Sequence, residues 1–207
     1  MRASPFLWLI AAYLIGGIPW AYVAGRLVGG LDLRQHGSGN LGATNVYRVL
    51  GAPAAVVVVL LDAAKGFGPA LLFPQWTIAA SSPYWALAYG LAAIAGHVRS
   101  PYLLWKAGGK GVATGCGVFL ALAPLATLIA IVVWAAVLRV WRYVSVASLA
   151  AAAALVIALG ALEGPRAPVF ALGVVVAGFV VWTHRANLGR LRRGEEHRVG
   201  RRPAAGD

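Results

Sequence analysis

The stretch VATGCGVFLALAPLATLIAIVVWAAVL, residues 112–138, decides how often this chain crosses a membrane. It is apolar throughout, with Pro124 near its middle. Proline removes a backbone donor and clashes with the preceding helical turn, so the stretch reads either as one kinked helix or as two short ones turning at Pro124. A spanning helix needs about 20 apolar residues. Two crossings therefore make at least one of the pair short.

The rest of the chain has the same character. It has 207 residues, 60% hydrophobic and only 12% charged, with a mean hydropathy of +0.77. A soluble domain carries about 25% charged residues. Further apolar runs cover 5–28, 53–73, 84–105, 143–161 and 166–184. The first contains Gly16, Gly17 and Pro19, which predict a kink in mid-membrane, tolerated where neighbouring helices satisfy the freed backbone. The net charge of +12 sits in short loops and a tail between apolar runs. That is the positive-inside pattern rather than a nucleic-acid surface. Cys116 stands alone, which leaves no internal disulfide and no thiol metal site. Met1-Arg2-Ala3-Ser4 lacks a small-residue cleavage site, so the first segment is read as retained.

Charge parity then fixes the count. Arg185, Arg190, Arg192, Arg193, Arg198, Arg201 and Arg202 mark the tail as cytoplasmic. Working backwards, a single crossing by 112–138 would put Lys106 and Lys110 outside. Two crossings bring loop 106–111, loop 30–52 with Arg34 and Arg48, and the tail to one face. The uncharged turns at 74–83 and 123–125 then lie outside. The expected fold is all-α: a polytopic membrane helix bundle of seven transmembrane segments, one or two of them short, N-terminus outside and C-terminus cytoplasmic. Residues 1–207 are read as one membrane-embedded domain, with 185–207 as its basic cytoplasmic tail.

Three polar stretches share that face. The first is Gly37-Ser38-Gly39-Asn40-Leu41-Gly42-Ala43-Thr44-Asn45, followed by Arg48. Glycines let backbone N–H groups converge on an anion, the short side chains add dipoles, and Arg48 adds charge. A helix starting at Ala43 or Thr44 would aim its positive end at the same place. Gly37-x-Gly39-x-x-Gly42 matches a dinucleotide fingerprint, but that motif needs a preceding strand, and the flanks here are membrane helices. The second stretch is Lys106-Ala107-Gly108-Gly109-Lys110-Gly111-Val112-Ala113-Thr114. It is no Walker loop, because Gly111 stands where Ser or Thr is required. Its glycines and Lys110 again favour phosphate. The third is His184-Arg185-Ala186-Asn187, continuing through Arg190-Leu191 to Gly194-Glu195-Glu196. His184 and Asn187 share one helix face. Arg192, Arg193, Arg198, Arg201 and Arg202 are assigned to anionic headgroups.

Two ionisable residues sit deeper. Asp62 and Lys65 lie three apart within segment 2, where charges are costly and mark function unless they only neutralise each other. His97 lies near the end of segment 3, beside Gly96, and reads equally as a packing residue. No cluster of His, Cys and carboxylate has metal-ligand spacing. No H-x-x-x-x-D arrangement occurs, because Tyr102 and Gly189 stand five residues after the two histidines. A His–Asp general-base pair is therefore not expected.

Taken together, these stretches resemble the bacterial acyl-phosphate:glycerol-3-phosphate acyltransferase family. The resemblance rests on Gly37–Asn45 with Arg48, on Asp62-x-x-Lys65-Gly66, on Gly96-His97, on Gly108–Thr114, and on His184-x-x-Asn187 with Arg190-Leu191 and Gly194-x-Glu196, all in order. Val98-Arg99-Ser100-Pro101 and Ala107 make the 97–107 stretch depart from the family's usual run. The resemblance implies a seven-helix enzyme of the bacterial plasma (inner) membrane, with its active site at the cytoplasmic face. It implies acyl transfer from acyl phosphate to the 1-hydroxyl of glycerol 3-phosphate, giving lysophosphatidic acid and phosphate, with no cofactor and no metal. On that footing Ser38, His184 and Asn187 are the expected catalytic residues. Gly37, Gly39, Asn40, Thr44, Asn45, Arg48, Lys106, Gly108, Gly109, Lys110, Gly111 and Thr114 are expected at the phosphates, and Asp62, Lys65, His97, Arg190 and Glu196 in support. A transporter of a phosphorylated solute is disfavoured by the one-sided polar stretches and the lack of an inverted repeat. A non-catalytic binding protein is disfavoured by the intact first and third motifs.

Overall fold

The structure, a computed structural model, describes residues 3–78, 82, 84–106 and 108–200. Arg2, Ala107, Arg201, Arg202 and residues 79–81 and 83 of the expected turn at 74–83 lie outside the described residues. The chain forms two compact units, Met1–Pro124 and Leu125–Asp207.

The first unit holds helices α1 (Pro5–Gly17), α2 (Trp20–Gly29), α3 (Ala43–Leu50), α4 (Ala52–Trp76), α5 (Tyr84–Val98) and α6 (Val112–Leu122). The expected kink in the first segment is a full break at Ile18–Pro19. Proline leaves carbonyls there without helical donors. Two side chains from elsewhere supply them: Ser100 Oγ donates to Gly17 O at 2.6 Å, and Lys65 Nζ donates to Ile18 O at 2.7 Å. The helices approach closely where one of them lacks a side chain. A Cβ on Gly66 or Gly117 would run into the backbone of Thr114 or Ala63, and one on Gly16 or Gly96 into that of Ala93 or Tyr13. These small-residue contacts hold α4 on α6 and α1 on α5, as is usual where lipid offers no hydrophobic drive.

Two expected boundaries move. Segment 2 continues through Pro74 to Trp76. Segment 3 stops at Val98 instead of 105, because Ser100 precedes Pro101 and takes extended backbone, as residues before proline do. A short 3₁₀ turn, Pro101–Leu103, follows, with Leu104 and Trp105 in the left-handed region at φ 52° and 57°. Trp105 Nε1 bonds Tyr13 Oη at 2.6 Å, and Tyr13 Oη in turn donates to Arg99 O at 2.8 Å.

Residues 112–138 form two helices. Ala123 separates α6 from α7 (Pro124–Trp141), and Pro124 takes the first helical position, where its missing N–H costs nothing. The second unit continues with α8 (Val144–Leu162), α9 (Pro168–Thr183) and α10 (Arg185–Arg192). Among the described residues, four helical stretches are long and apolar enough to cross a membrane: Pro5–Gly29 across its break, α4, α7 and α8. A fifth is obtained if α9 and α10, bent by 52°, count as one span. α6 has 11 residues, roughly 16 Å at 1.5 Å per residue.

Candidate active site

In the first unit, loop 31–42 is built around Asn45. Its side chain is almost wholly buried, at 1% exposure. Asn45 Nδ2 donates to Leu33 O at 3.2 Å and His36 O at 3.0 Å, and Oδ1 accepts the Ser38 N–H at 2.8 Å. Asn45 therefore holds the loop that surrounds the expected anion, with its amide committed to backbone. Gly37 has φ +62°, and a Cβ there would strike Asn45 Oδ1. Glycine is required at 37 on both counts. α3 begins at Ala43, as the anion-loop reading expects, so Thr44 lies in its first turn and exposed Arg48 in its last. Ser38 is exposed at the loop surface.

An unforeseen cluster stiffens the start of this loop. Buried Asp32 takes Arg34 Nη2 at 2.6 Å and Arg26 Nη2 at 3.3 Å, and both guanidiniums lie over the Tyr22 ring. The Arg34 hydrogen bond holds the Asp32 carboxyl down at about 2. Nothing in the local motif marks Asp32, and only the Arg–Asp–Arg alternation hints at it.

The second glycine loop meets the first. Leu41 N–H donates to Gly108 O at 3.4 Å, and Gly109 N–H donates to His97 O at 3.1 Å. Gly109 is buried against the His97 ring, where a Cβ would overlap Nε2. Lys110 is half-buried and Gly111 caps the N-terminus of α6. Thr114 is fully buried in the first turn of that helix. Lys106, by contrast, is exposed on the tight turn after Leu103.

Asp62, Lys65 and His97 come together. Lys65 Nζ lies 2.7 Å from Asp62 Oδ1, and His97 Nδ1 lies 3.6 Å from the same oxygen. No His–Asp general-base pair is expected from the sequence, and the structure adds a buried His–Asp contact between two helices. The pair joins α4 to α5, and local spacing along one helix cannot reveal it.

In the second unit the third polar stretch is organised by Glu196. Its carboxylate accepts Asn187 Nδ2 at 2.6 Å, Arg190 Nε at 2.8 Å and Ser145 Oγ at 2.9 Å. Burial pushes the Glu196 carboxyl up, and the three donors outweigh it and hold it below the usual range. His184 ends α9 and caps α10. Its Nδ1 lies 2.8 Å from Val180 O. A carbonyl only accepts, so Nδ1 carries the hydrogen, and in the neutral ring Nε2 is the acceptor. Ser145 escaped the sequence reading because it lies in an apolar run far from the motif.

The tail is also more structured than expected. Val199 N–H donates to Arg142 O at 2.8 Å and Arg142 Nε returns to Val199 O at 2.9 Å. Arg198 lies over Tyr143 and bonds its hydroxyl at 2.9 Å. Arg193 pairs with Glu195 at 2.7 Å. Arg193 and Arg198, assigned to headgroups from the sequence, have protein partners.

Long apolar helices, small-residue interfaces and polar loops with buried ionic clusters define an all-helical, multi-pass membrane protein. A family model described as glycerol-3-phosphate acyltransferase matches residues 6–194. The glycerol-3-phosphate acyltransferase of Syntrophotalea carbinolica is 46% identical over 195 residues, covering 94% of this chain and 97% of that one. The protein of the same name from Trichlorobacter lovleyi is 45% identical over 197 residues, covering 95% and 97%. Among solved structures, PlsY (YgiH), an integral membrane glycerol 3-phosphate acyltransferase, matches in its glycerol 3-phosphate form with a TM-score of 0.86 and 39% identity, covering 96% of each chain. Its lysophosphatidic acid form matches at 0.84 and 38%. The chain belongs to the glycerol-3-phosphate acyltransferase family.

Proposed function

We propose that this protein transfers a fatty acyl group from acyl phosphate to the 1-hydroxyl of glycerol 3-phosphate, releasing lysophosphatidic acid and phosphate. The observation that carries this reading is the Leu41–Gly108 hydrogen bond, which joins two glycine-rich basic loops in a chain of this family. The reaction has two phosphorylated substrates, and the loops offer two sets of phosphate donors. We assign the first loop, with Ser38 and Arg48, to glycerol 3-phosphate. Its neighbours Gly37, Gly39, Asn40 and Thr44 shape that cradle. Gly108–Gly111, Lys110 and Thr114 go to the acyl phosphate. From the sequence motifs we keep His184 and Asn187 as the residues that polarise the reacting groups, with Arg190 and Glu196 in support.

Acyl phosphate is a mixed anhydride and is already activated. The glycerol hydroxyl oxygen attacks the acyl carbon, a new ester C–O bond forms, and the acyl–phosphate C–O bond breaks with its electrons leaving on phosphate. The hydroxyl proton goes to a substrate phosphate oxygen, whose second pKa is about 6, or to His184 Nε2. Neutral donors aimed at the developing oxyanion supply the remaining stabilisation.

We read the chain as seven crossings of the bacterial inner membrane, N-terminus outside, with the polar loops at the cytoplasmic face. The positive-inside distribution supports this. The short α5 and α6 then cross in a shielded interior. A single catalytic domain is supported by a family match that runs across both units. The test is direct. Detergent-purified protein given acyl phosphate and glycerol 3-phosphate forms lysophosphatidic acid and releases phosphate, while acyl-CoA and acyl-carrier protein in parallel tubes do not replace the donor. Absence of product from acyl phosphate overturns the reading.

A further inference from the structure

We propose that residues 198–200 form a strap that positions Glu196, and through it Asn187, for the acyl transfer, with Arg198 as its chief positioning residue. The proposal rests on the function proposed above and deepens it. It concerns the second unit alone.

Three pairs seat the strap on the corner between α7 and α8. Glu196 Oε1 accepts Ser145 Oγ–H at 2.9 Å. Arg198 Nε donates to Tyr143 Oη at 2.9 Å, with the guanidinium 5.0 Å from the ring centroid. Val199 N–H donates to Arg142 O at 2.8 Å, and Arg142 Nε donates to Val199 O at 2.9 Å. Each step forward along the tail is matched by one step back along the corner. The three pairs therefore share a single antiparallel register. Gly200 completes the fit, with φ at 79° and a Cα so close that a Cβ would overlap Arg142 Nη2. Arg142 itself has φ 61°. A residue with a Cβ keeps that left-handed conformation where its surroundings impose it. Val199 supplies the constraint, since it holds both the Arg142 carbonyl and the Arg142 side chain.

α10 alone does not fix Glu196 against α8. Gly194, at φ 72°, turns the chain away from α10. The Glu196 carboxylate then reaches back to that helix through Asn187 Nδ2 and Arg190 Nε. Only its bond to Ser145 refers this group to α8. With the strap released, the carboxylate can follow α10 and leave Ser145. Asn187 then keeps its bond to Glu196 but loses its placement. A shift of about 1 Å in a positioned group can cost up to about 10²-fold in rate. Arg198 is exposed, so removing it disturbs placement more than packing.

Arg198→Ala should lower kcat roughly 5–20-fold and leave KM for both substrates within about twofold. Val199→Pro deletes the N–H given to Arg142 and should reproduce the fall. The assays are run in phosphatidylcholine micelles, where a role for Arg198 at anionic headgroups would leave kcat unchanged. The deciding measurement is a double-mutant cycle. In the Asn187→Ala background, Arg198→Ala should change the rate by less than about twofold, because its route through Asn187 is already cut. Unchanged kcat in both single variants, or a fall that adds in full to that of Asn187→Ala, overturns the proposal. So does loss of folded protein in both single variants by size exclusion, which would make the strap a packing element. Failure of the wild-type enzyme to acylate glycerol 3-phosphate would instead sink the functional reading.

Discussion

Asn187 Nδ2 and Ser145 Oγ share one oxygen, Oε1 of Glu196, at 2.6 and 2.9 Å. One carboxylate therefore ties α10 to the start of α8. Glu196→Ala strands two buried donors and should cost about 2–3 kcal/mol. The Arg190 contact adds little to this, since Arg190 is about a third exposed. Glu196→Gln, which keeps one acceptor, should cost less. Thermal unfolding in mixed micelles ranks the three proteins.

Ser38→Ala and Asn187→Ala remove donors assigned to the reacting groups. Each should lower turnover by about 10²–10³-fold with the fold intact. Initial rates at saturating substrates decide it, and near wild-type turnover in both variants would remove these assignments.

Asn45 offers a sharper comparison. Asn45→Ala deletes two donors and one acceptor at a buried site and should cost about 2–3 kcal/mol. Asn45→Asp keeps Oδ1 for Ser38 N–H but turns an oxygen toward the carbonyls of Leu33 and His36. It should be at least as damaging despite its near-identical shape. Limited proteolysis within 31–42 reports both.

Asp32 gives the loop an acid limit. Its carboxyl, held by Arg34, titrates at about 2 against an ordinary 3.8. A depressed folded-state value means the stabilisation is complete above 3.8 and is lost as pH falls toward about 2. Hydrogen exchange of residues 31–36 should accelerate over that window. In Asp32→Asn it should be fast at every pH.

Lys65→Met leaves Asp62 buried without its cation and the Ile18 carbonyl without its donor. The expected cost is about 3–5 kcal/mol. Adding Asp62→Asn should recover part of it, because the stranded charge is then gone. A double-mutant cycle by chemical denaturation measures the recovery.

Much of this was legible in sequence because it is local. Gly16, Gly17 and Pro19 announced the broken first helix, Pro124 the split of 112–138, and the glycine run the start of α3. What closes the broken helix was not legible, since Ser100 and Lys65 come from 83 and 47 residues away. Likewise the Asp62–His97 pairing depends on how α4 lies against α5. Asn45 shows the opposite difficulty. Its neighbours marked it as a ligand, and only the fold shows its amide spent on backbone. Ser145 carried no local signal, because a lone serine in an apolar helix looks the same whether or not a carboxylate waits for it.

That wait has a consequence in time. Synthesis is vectorial, and Ser145 precedes its acceptor Glu196 by 51 residues. At about 5–20 residues per second, the ribosome takes roughly 3–10 s to cover that distance. Late in that interval α8 and α9 are complete while the carboxylate that locks the Ser145 end of α8 is not yet made. The first unit is complete in sequence by Pro124. A nascent chain arrested at Arg193 should therefore yield a protease-resistant first unit and a cleavable corner at 142–145. Resistance at that corner before Glu196 emerges would show that the lock is not needed for closure.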